Sequence, residues 1–251
     1  MNNITENEIL PIAVVIGATG LVGRQLIQQL SASGRYGIIY AVVRKQFELD
    51  ASTAALLTWI EIPDFTQLKN ELQKYDFKDA DVFSTLGSTL KQAGSKSAFY
   101  QIDHDYNLAF AQVTQQQGAR HLLFVSALGA DTGSLIYYNR VKGELERDVQ
   151  YLNFEHCSVF RPSLLLGERP SARFLEDAAQ NFFQWGQGLL PKTFYARPIT
   201  AAQVAWSMYQ VAVLKAKVVT QDQVTNPVYS PERSDAAHVE IYSNKMMLEM
   251  S

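Results

Sequence analysis

The 251 residues carry a formal net charge of −3, with 47% hydrophobic and 19% charged side chains. That balance suits a globular chain able to bury one large core, and it argues against an extended nucleic-acid surface. A single cysteine, Cys157, excludes an internal disulfide and a cysteine metal cluster. It lies in an apolar strand-like run and reads as a buried, inert thiol.

Met1 to Leu10 is polar and acidic, without the apolar stretch of a secretory leader. No uninterrupted apolar run reaches the roughly 18 residues that a membrane span needs. A cytoplasmic protein with no membrane span is therefore expected.

Ile12 to Ile16 runs straight into Gly17-Ala18-Thr19-Gly20-Leu21-Val22-Gly23 and reads as a buried parallel strand. Leu21, Val22, Leu26, Ile27 and Leu30 then recur at helical spacing up to Ser31-Ala32-Ser33-Gly34, a stop signal. Strand, glycine turn and helix make a phosphate site. The glycines let backbone approach a pyrophosphate, and the orphan N–H groups and dipole of the helix start favour its charge. The spacing is GxxGxxG rather than GxGxxG, and packing glycines at a strand–helix corner are the bland alternative. Its place directly after the first strand favours a dinucleotide.

A second buried strand, Ile38 to Val43, ends in Arg44-Lys45. An NAD enzyme usually carries an acid for the ribose 2′-hydroxyl at this junction, whereas arginine suits a 2′-phosphate. NADP(H) is expected over NAD, the alternative being two solvated charges at a strand end. Trp59 to Ile62 reads as a short third strand, followed by Pro63-Asp64 and a helix through Leu68 and Leu72. Asp64 either caps that helix or makes a polar contact with the adenine.

Asp81 to Gly87 is the fourth strand and its glycine turn, which puts Leu86 and Gly87 on the crevice where open α/β sheets bind ligands. Gly94 to Ser97 leads into a long helix with an Ile102, Tyr106, Ala109, Val113 stripe, ending at Gly118. His121 to Val125 is the fifth strand, with Ser126 at its carboxyl end, and His156 to Phe160 is the sixth, entering Arg161-Pro162-Ser163. The alternation predicts a doubly wound parallel sheet, a Rossmann fold, with right-handed crossovers. The chain reads as one domain, with residues 10–168 as nucleotide-binding core. Residues 169–251 form a small C-terminal substrate-side lobe, including an amphipathic helix over 200–216 and a terminal strand or helix.

Tyr138 lies twelve residues after Ser126, and Lys142 four beyond the tyrosine. Residues i and i+4 share a helix face, so Tyr138 and Lys142 can meet, while Val141, Leu145 and Val149 supply the buried stripe. A phenol with an ordinary pKa near 10 is a poor base, and a nearby ammonium favours the phenolate. Such a phenol passes a proton to or from a substrate oxygen while hydride moves at a nicotinamide, with Ser126 holding that oxygen. Tyr137 is the wrong phenol, because four residues on it meets Val141.

GATGLVG, the Ser126, Tyr138 and Lys142 set, and RPSLLLG resemble the atypical branch of the short-chain dehydrogenase/reductase superfamily. STLGSTLKQAG, IDHDY and YNRVKGELE are similar to its Tat-interacting oxidoreductase group, over Ile12 to Arg173. The resemblance implies a Rossmann fold and NADPH. It implies Gly17, Thr19, Gly20, Leu21, Val22 and Gly23 at the pyrophosphate, Arg44 and Lys45 on the 2′-phosphate, and Leu86 and Gly87 along the ribose. Tyr138 would carry the proton and Lys142 bind ribose. Pro162, Leu165 and Arg173 would close over the cofactor. Superfamily members often use an asparagine in the long fourth helix for a proton relay, and Asp103 or Asn107 is the nearest candidate. The resemblance also implies regulatory roles through protein partners.

The histidines His104, His121, His156 and His238 are scattered without metal-site spacing and read as structural. Phe182, Phe183 and Trp185 either pack the lobe or wall an apolar substrate pocket, and Lys91 and Lys96 read as solvated. The sequence thus points to an NADP(H)-dependent oxidoreductase of a carbonyl or alcohol, a monomer or homodimer taking a small-molecule substrate of unknown identity. The alternative is an NADP(H)-binding sensor with little turnover that acts through protein partners. A nucleotide-sugar epimerase shares the chemistry, but too little chain follows the sixth strand for its larger substrate domain.

Overall fold

The computed structural model describes residues 10–166, 197–220, 232–233 and 239–251. Each of the six apolar runs forms a strand: β1 (Ile12–Ile16), β2 (Ile38–Val43), β3 (Leu57–Glu61), β4 (Asp81–Ser84), β5 (His121–Val125) and β6 (His156–Arg161). They lie side by side as β3-β2-β1-β4-β5-β6, every pair parallel. A short pair, β7 (Leu165–Leu166) and β8 (Ile199–Thr200), stands apart from this sheet.

One face of the sheet is covered by α1 (Leu21–Ala32) and α8 (Ala201–Thr220), the other by α3 (Leu68–Leu72), α6 (Tyr106–Gln116) and α7 (Tyr137–Val149). Two buried layers result, one around Leu26, Ile27, Val204 and Met208, the other around Leu72, Phe110, Leu145 and Val149. Covering both faces is why the strands are almost wholly apolar. The strand order reverses direction between β1 and β4, and the crevice above that point is where this architecture takes ligands.

Of the expected C-terminal lobe, the described residues 197–220, 232–233 and 239–251 can be placed. β10 (Val239–Ser243) joins the main sheet as a seventh parallel strand beside β6, and β9 (Glu232–Arg233) adds an antiparallel edge. Ile199, Val204, Met208, Val211, Tyr242 and Met247, the last on α9 (Asn244–Met250), belong to the same core as β1 and α1. A bare β6 edge and an uncovered α1 face need this apolar surface, so these residues complete the nucleotide-binding core.

The expected long helix is also altered. It forms as α5 (Lys96–Tyr100), a π-helical turn at Gln101–Asp105, and α6, following the short α4 (Leu90–Ala93). Asn107 Nδ2 donates to the Ile102 carbonyl of the widened turn at 2.9 Å. The inward stripe is Phe99, Asp103, Asn107, Phe110 and Thr114 rather than Ile102, Tyr106, Ala109 and Val113, of which only Val113 is fully buried. Polar groups at the site demand polar partners, and they turn the helix away from its apolar register.

Candidate active site

The glycine loop is shaped by contact with β4. A Cβ on Gly17, whose φ is +81°, would stand 2.4 Å from the Leu86 backbone nitrogen. A Cβ on Gly23 would meet the Gly17 carbonyl oxygen at 2.3 Å. Only glycine permits the strand, the helix and the β4 loop to approach this closely. Gly20 is the N-cap of α1 and offers no side chain, and the first turn holds no acid. The leading N–H groups of α1 are therefore left to an external anion. Thr19 is exposed at the loop tip, its carbonyl accepting from Arg24 Nε at 3.2 Å, while the Val22 side chain is buried.

Arg44 and Lys45 are exposed just past β2, on the same rim. Asp64 caps the short 3-10 turn before α3, accepting from the Thr66 N–H at 2.9 Å and hydroxyl at 2.7 Å. Those bonds hold its carboxyl below the usual range. Asp64 thus makes a cap, one of the two roles expected of it.

Tyr138 and Lys142 lie one turn apart on α7 and are brought together with the β4 loop. Lys142, 3% exposed, places Nζ 2.8 Å from Asp103 Oδ1 and 3.5 Å from where a Gly87 Cβ would sit. Asp103 is wholly buried, and its Oδ2 accepts both the N–H of Ser88 at 2.8 Å and its hydroxyl at 2.7 Å. Asn107 is occupied elsewhere, bonding Ser84, the Leu86 carbonyl and the Ile102 carbonyl. Of the two relay candidates, Asp103 is therefore the one on the lysine. The Tyr138 ring tilts against Phe99 with centroids 5.5 Å apart.

The electrostatics differ from the simple Tyr–Lys expectation. Burial raises the Tyr138 phenol, Lys142 lowers it, Asp103 raises it again, and the net shift is upward. For Lys142 burial opposes the ammonium, but Asp103 first and Tyr138 second reverse this, and its pKa is raised. Tyr137 faces away, donating to the Lys96 carbonyl at 3.0 Å, with the Lys96 ammonium and the Arg140 guanidinium over its ring.

Ser126 does not take the expected place. It is 3% exposed, and its hydroxyl donates to Glu146, which is also held by Arg161 through Nε at 3.0 Å and through Nη2. Glu146 is eight residues beyond Tyr138, about 12 Å of helical rise. A hydroxyl already committed to a carboxylate has no hydrogen to offer a substrate oxygen. Ser126 is thus an anchor of β5 to α7. Glu146 and Arg161 were not singled out in the sequence, although Glu146 continues the four-residue ladder Tyr138, Lys142, Glu146 beside the apolar stripe.

Pro162 is buried, its carbonyl accepting from the Leu128 N–H at 2.8 Å, and Leu165 is half-buried in β7. Arg173, Phe182, Phe183 and Trp185 lie outside the described residues. His104 sits between Asp105 and Asp148, at 2.9 and 3.0 Å, and His121 bonds Ser158 at 2.9 Å.

A family model described as NAD(P)H-binding matches residues 17–157. The chain is 37% identical over 157 residues to Protein FMP52, mitochondrial, of Candida glabrata, covering 62% of this chain and 65% of that relative, just under two thirds of its length. It is 30% identical over 239 residues to Protein FMP52-1, mitochondrial, of Scheffersomyces stipitis, covering 95% of this chain and 97% of the relative. Among solved structures, MoeE5 in complex with UDP-glucose and NAD superposes with a TM-score of 0.60 at 16% identity, over 92% of this chain and 75% of that one, a likeness of fold alone. The relatives' names correct the cytoplasmic expectation and point to the mitochondrion. An apolar stretch is the mark of a secretory leader alone, whereas mitochondrial import signals are amphipathic rather than apolar.

Proposed function

The chain belongs to the NAD(P)H-binding family, in the atypical short-chain dehydrogenase/reductase group, and from that premise we propose that it is an NADP(H)-dependent oxidoreductase acting on a carbonyl or alcohol. The observation that carries this reading is the meeting of three elements at residues 86–87. The Gly17 turn abuts Leu86, and the Lys142 ammonium stands over Gly87, one turn from Tyr138 on α7. An anion-ready helix start and a phenol–ammonium pair thus share one crevice.

The residues suit a dinucleotide. The first turn of α1 offers backbone N–H groups to a pyrophosphate, and Arg44 and Lys45 offer cations for a 2′-phosphate. The nicotinamide, when bound, supplies or accepts hydride. Tyr138 gives or takes the proton at the substrate oxygen, Lys142 binds ribose hydroxyls, and Phe99 helps to keep water from the phenol. Ser126 has no part at the reacting atoms.

Fluorescence titration with NADPH and NADH tests the cofactor claim. NADPH should bind at least tenfold tighter, and changing both Arg44 and Lys45 to alanine should abolish that preference while leaving NADH affinity unchanged. Equal affinities in the unaltered protein overturn the NADP(H) assignment.

A further inference from the structure

We propose that Asp103 is a positioning residue that neutralises the Lys142 ammonium beside Tyr138, so that the lysine no longer draws the phenol toward the phenolate. This deepens the reading above and rests on Tyr138 and Lys142 being the acid–base pair.

The geometry carries it. Asp103 is fully buried in the π-helical turn, Lys142 is 3% exposed, and the two meet at 2.8 Å. Lys142 forms an ion pair with the Asp103 carboxylate at Oδ1, and the Ser88 N–H and hydroxyl donate to its Oδ2. An ammonium that stands alone beside a phenol favours the phenolate; an ammonium paired with a buried carboxylate is close to a neutral dipole and loses most of that pull. Lys142 on its own helix and Asp103 from the π-helical turn both act on the Tyr138 phenol. Phe99 from α5 adds only apolar surface. Glu146 acts on Lys142 from the next turn, but it is itself paired with Arg161. Burial and Asp103 together outweigh Lys142, so the phenol is held upward rather than drawn down.

A phenol is an acid. In the reductive direction its O–H bond breaks, the proton goes to the substrate's carbonyl oxygen as hydride from the reduced nicotinamide dinucleotide reaches the carbonyl carbon, and solvent returns the proton afterwards.

The test is an ultraviolet titration of tyrosine ionisation in the ligand-free protein, with the Tyr138→Phe trace subtracted to isolate Tyr138 and near-ultraviolet circular dichroism reporting the fold. In Asp103→Asn, which keeps an acceptor for Ser88, Tyr138 should ionise at least one pH unit lower, a tenfold change. An unchanged or raised midpoint overturns the proposal. If Asp103→Asn does not fold, the doubly apolar variant Asp103→Leu with Lys142→Met replaces the whole pair. There the Tyr138 midpoint should stay within half a unit of the parent, and a rise of one unit or more shows that the lysine acted unneutralised. Neither result depends on turnover, so failure here is separable from the loss of the oxidoreductase reading, which a fully active Tyr138→Phe enzyme would bring about.

Discussion

The Glu146 carboxylate takes the hydroxyl hydrogen of Ser126, and Arg161 closes on the same carboxylate from the end of β6. This joins β5, β6 and α7 beneath the crevice through one nearly buried acid. Ser126→Ala should therefore retain cofactor affinity and turnover within about threefold while costing about 1 kcal/mol of stability. Glu146→Ala removes the carboxylate that holds both Ser126 and Arg161 and should cost about 3 kcal/mol. Urea denaturation measures both, and a thousandfold loss of turnover in Ser126→Ala would return the serine to the chemistry.

Adjacent tyrosines provide a second contrast. Tyr138 lies beside Lys142, whereas Tyr137 ties α7 to the Lys96 carbonyl. Tyr138→Phe should lower the rate of NADPH-dependent reduction at least a thousandfold with little change in NADPH affinity. Tyr137→Phe should keep the rate and lose about 1 kcal/mol at most. Equal rates for the two variants would remove the phenol from the mechanism.

Glycine positions with positive φ differ sharply in what surrounds them. At Gly17 a methyl would collide with the backbone of Thr85 and Leu86, and at Gly34 nothing lies within 4 Å. Gly34→Ala should cost about 1 kcal/mol, the conformational penalty alone. Gly17→Ala adds overpacking against an unyielding backbone and should cost about 3 kcal/mol or more, with loss of dinucleotide binding. Chemical denaturation of the two variants side by side distinguishes conformational strain from collision.

Acid should weaken the fold through His121. Burial, followed by the positive groups His156, Arg120, Lys215 and Arg35, pushes this imidazole well below its ordinary value. The folded protein keeps it neutral while the unfolded chain protonates near pH 6.5. The unfolded state then binds more protons, so stability is full above about pH 6.5 and is lost as pH falls below it, by up to about 1.4 kcal/mol per pH unit. His156, lowered chiefly by burial, acts with the same sign. His121→Gln should flatten the pH dependence of the urea midpoint between pH 7 and 5; an unaltered slope would assign the acid sensitivity to other groups.

The sequence by itself determined the parts whose causes are local. An apolar run of five or six residues between turn signals is too short for a buried helix and reads as a covered strand, so all six strands of the first two thirds were legible, as were the Gly17 to Gly23 loop and the Tyr138–Lys142 pair one helical turn apart. Tertiary structure decided what depends on facing partners. Asp103 turned inward against the apolar register of its helix because Lys142 and Ser88 wait there, and Ser126 turned from the crevice because Glu146 and Arg161 take its hydroxyl. Asp64 became a cap because Thr66 was within reach. The terminal strand Val239–Ser243 entered the main sheet because β6 presented an open parallel edge, a vacancy that no stretch of those five residues records. Periodicity reports which face of an element is apolar, but a buried charge goes where its counter-charge stands, and that place is known only once the chain has folded.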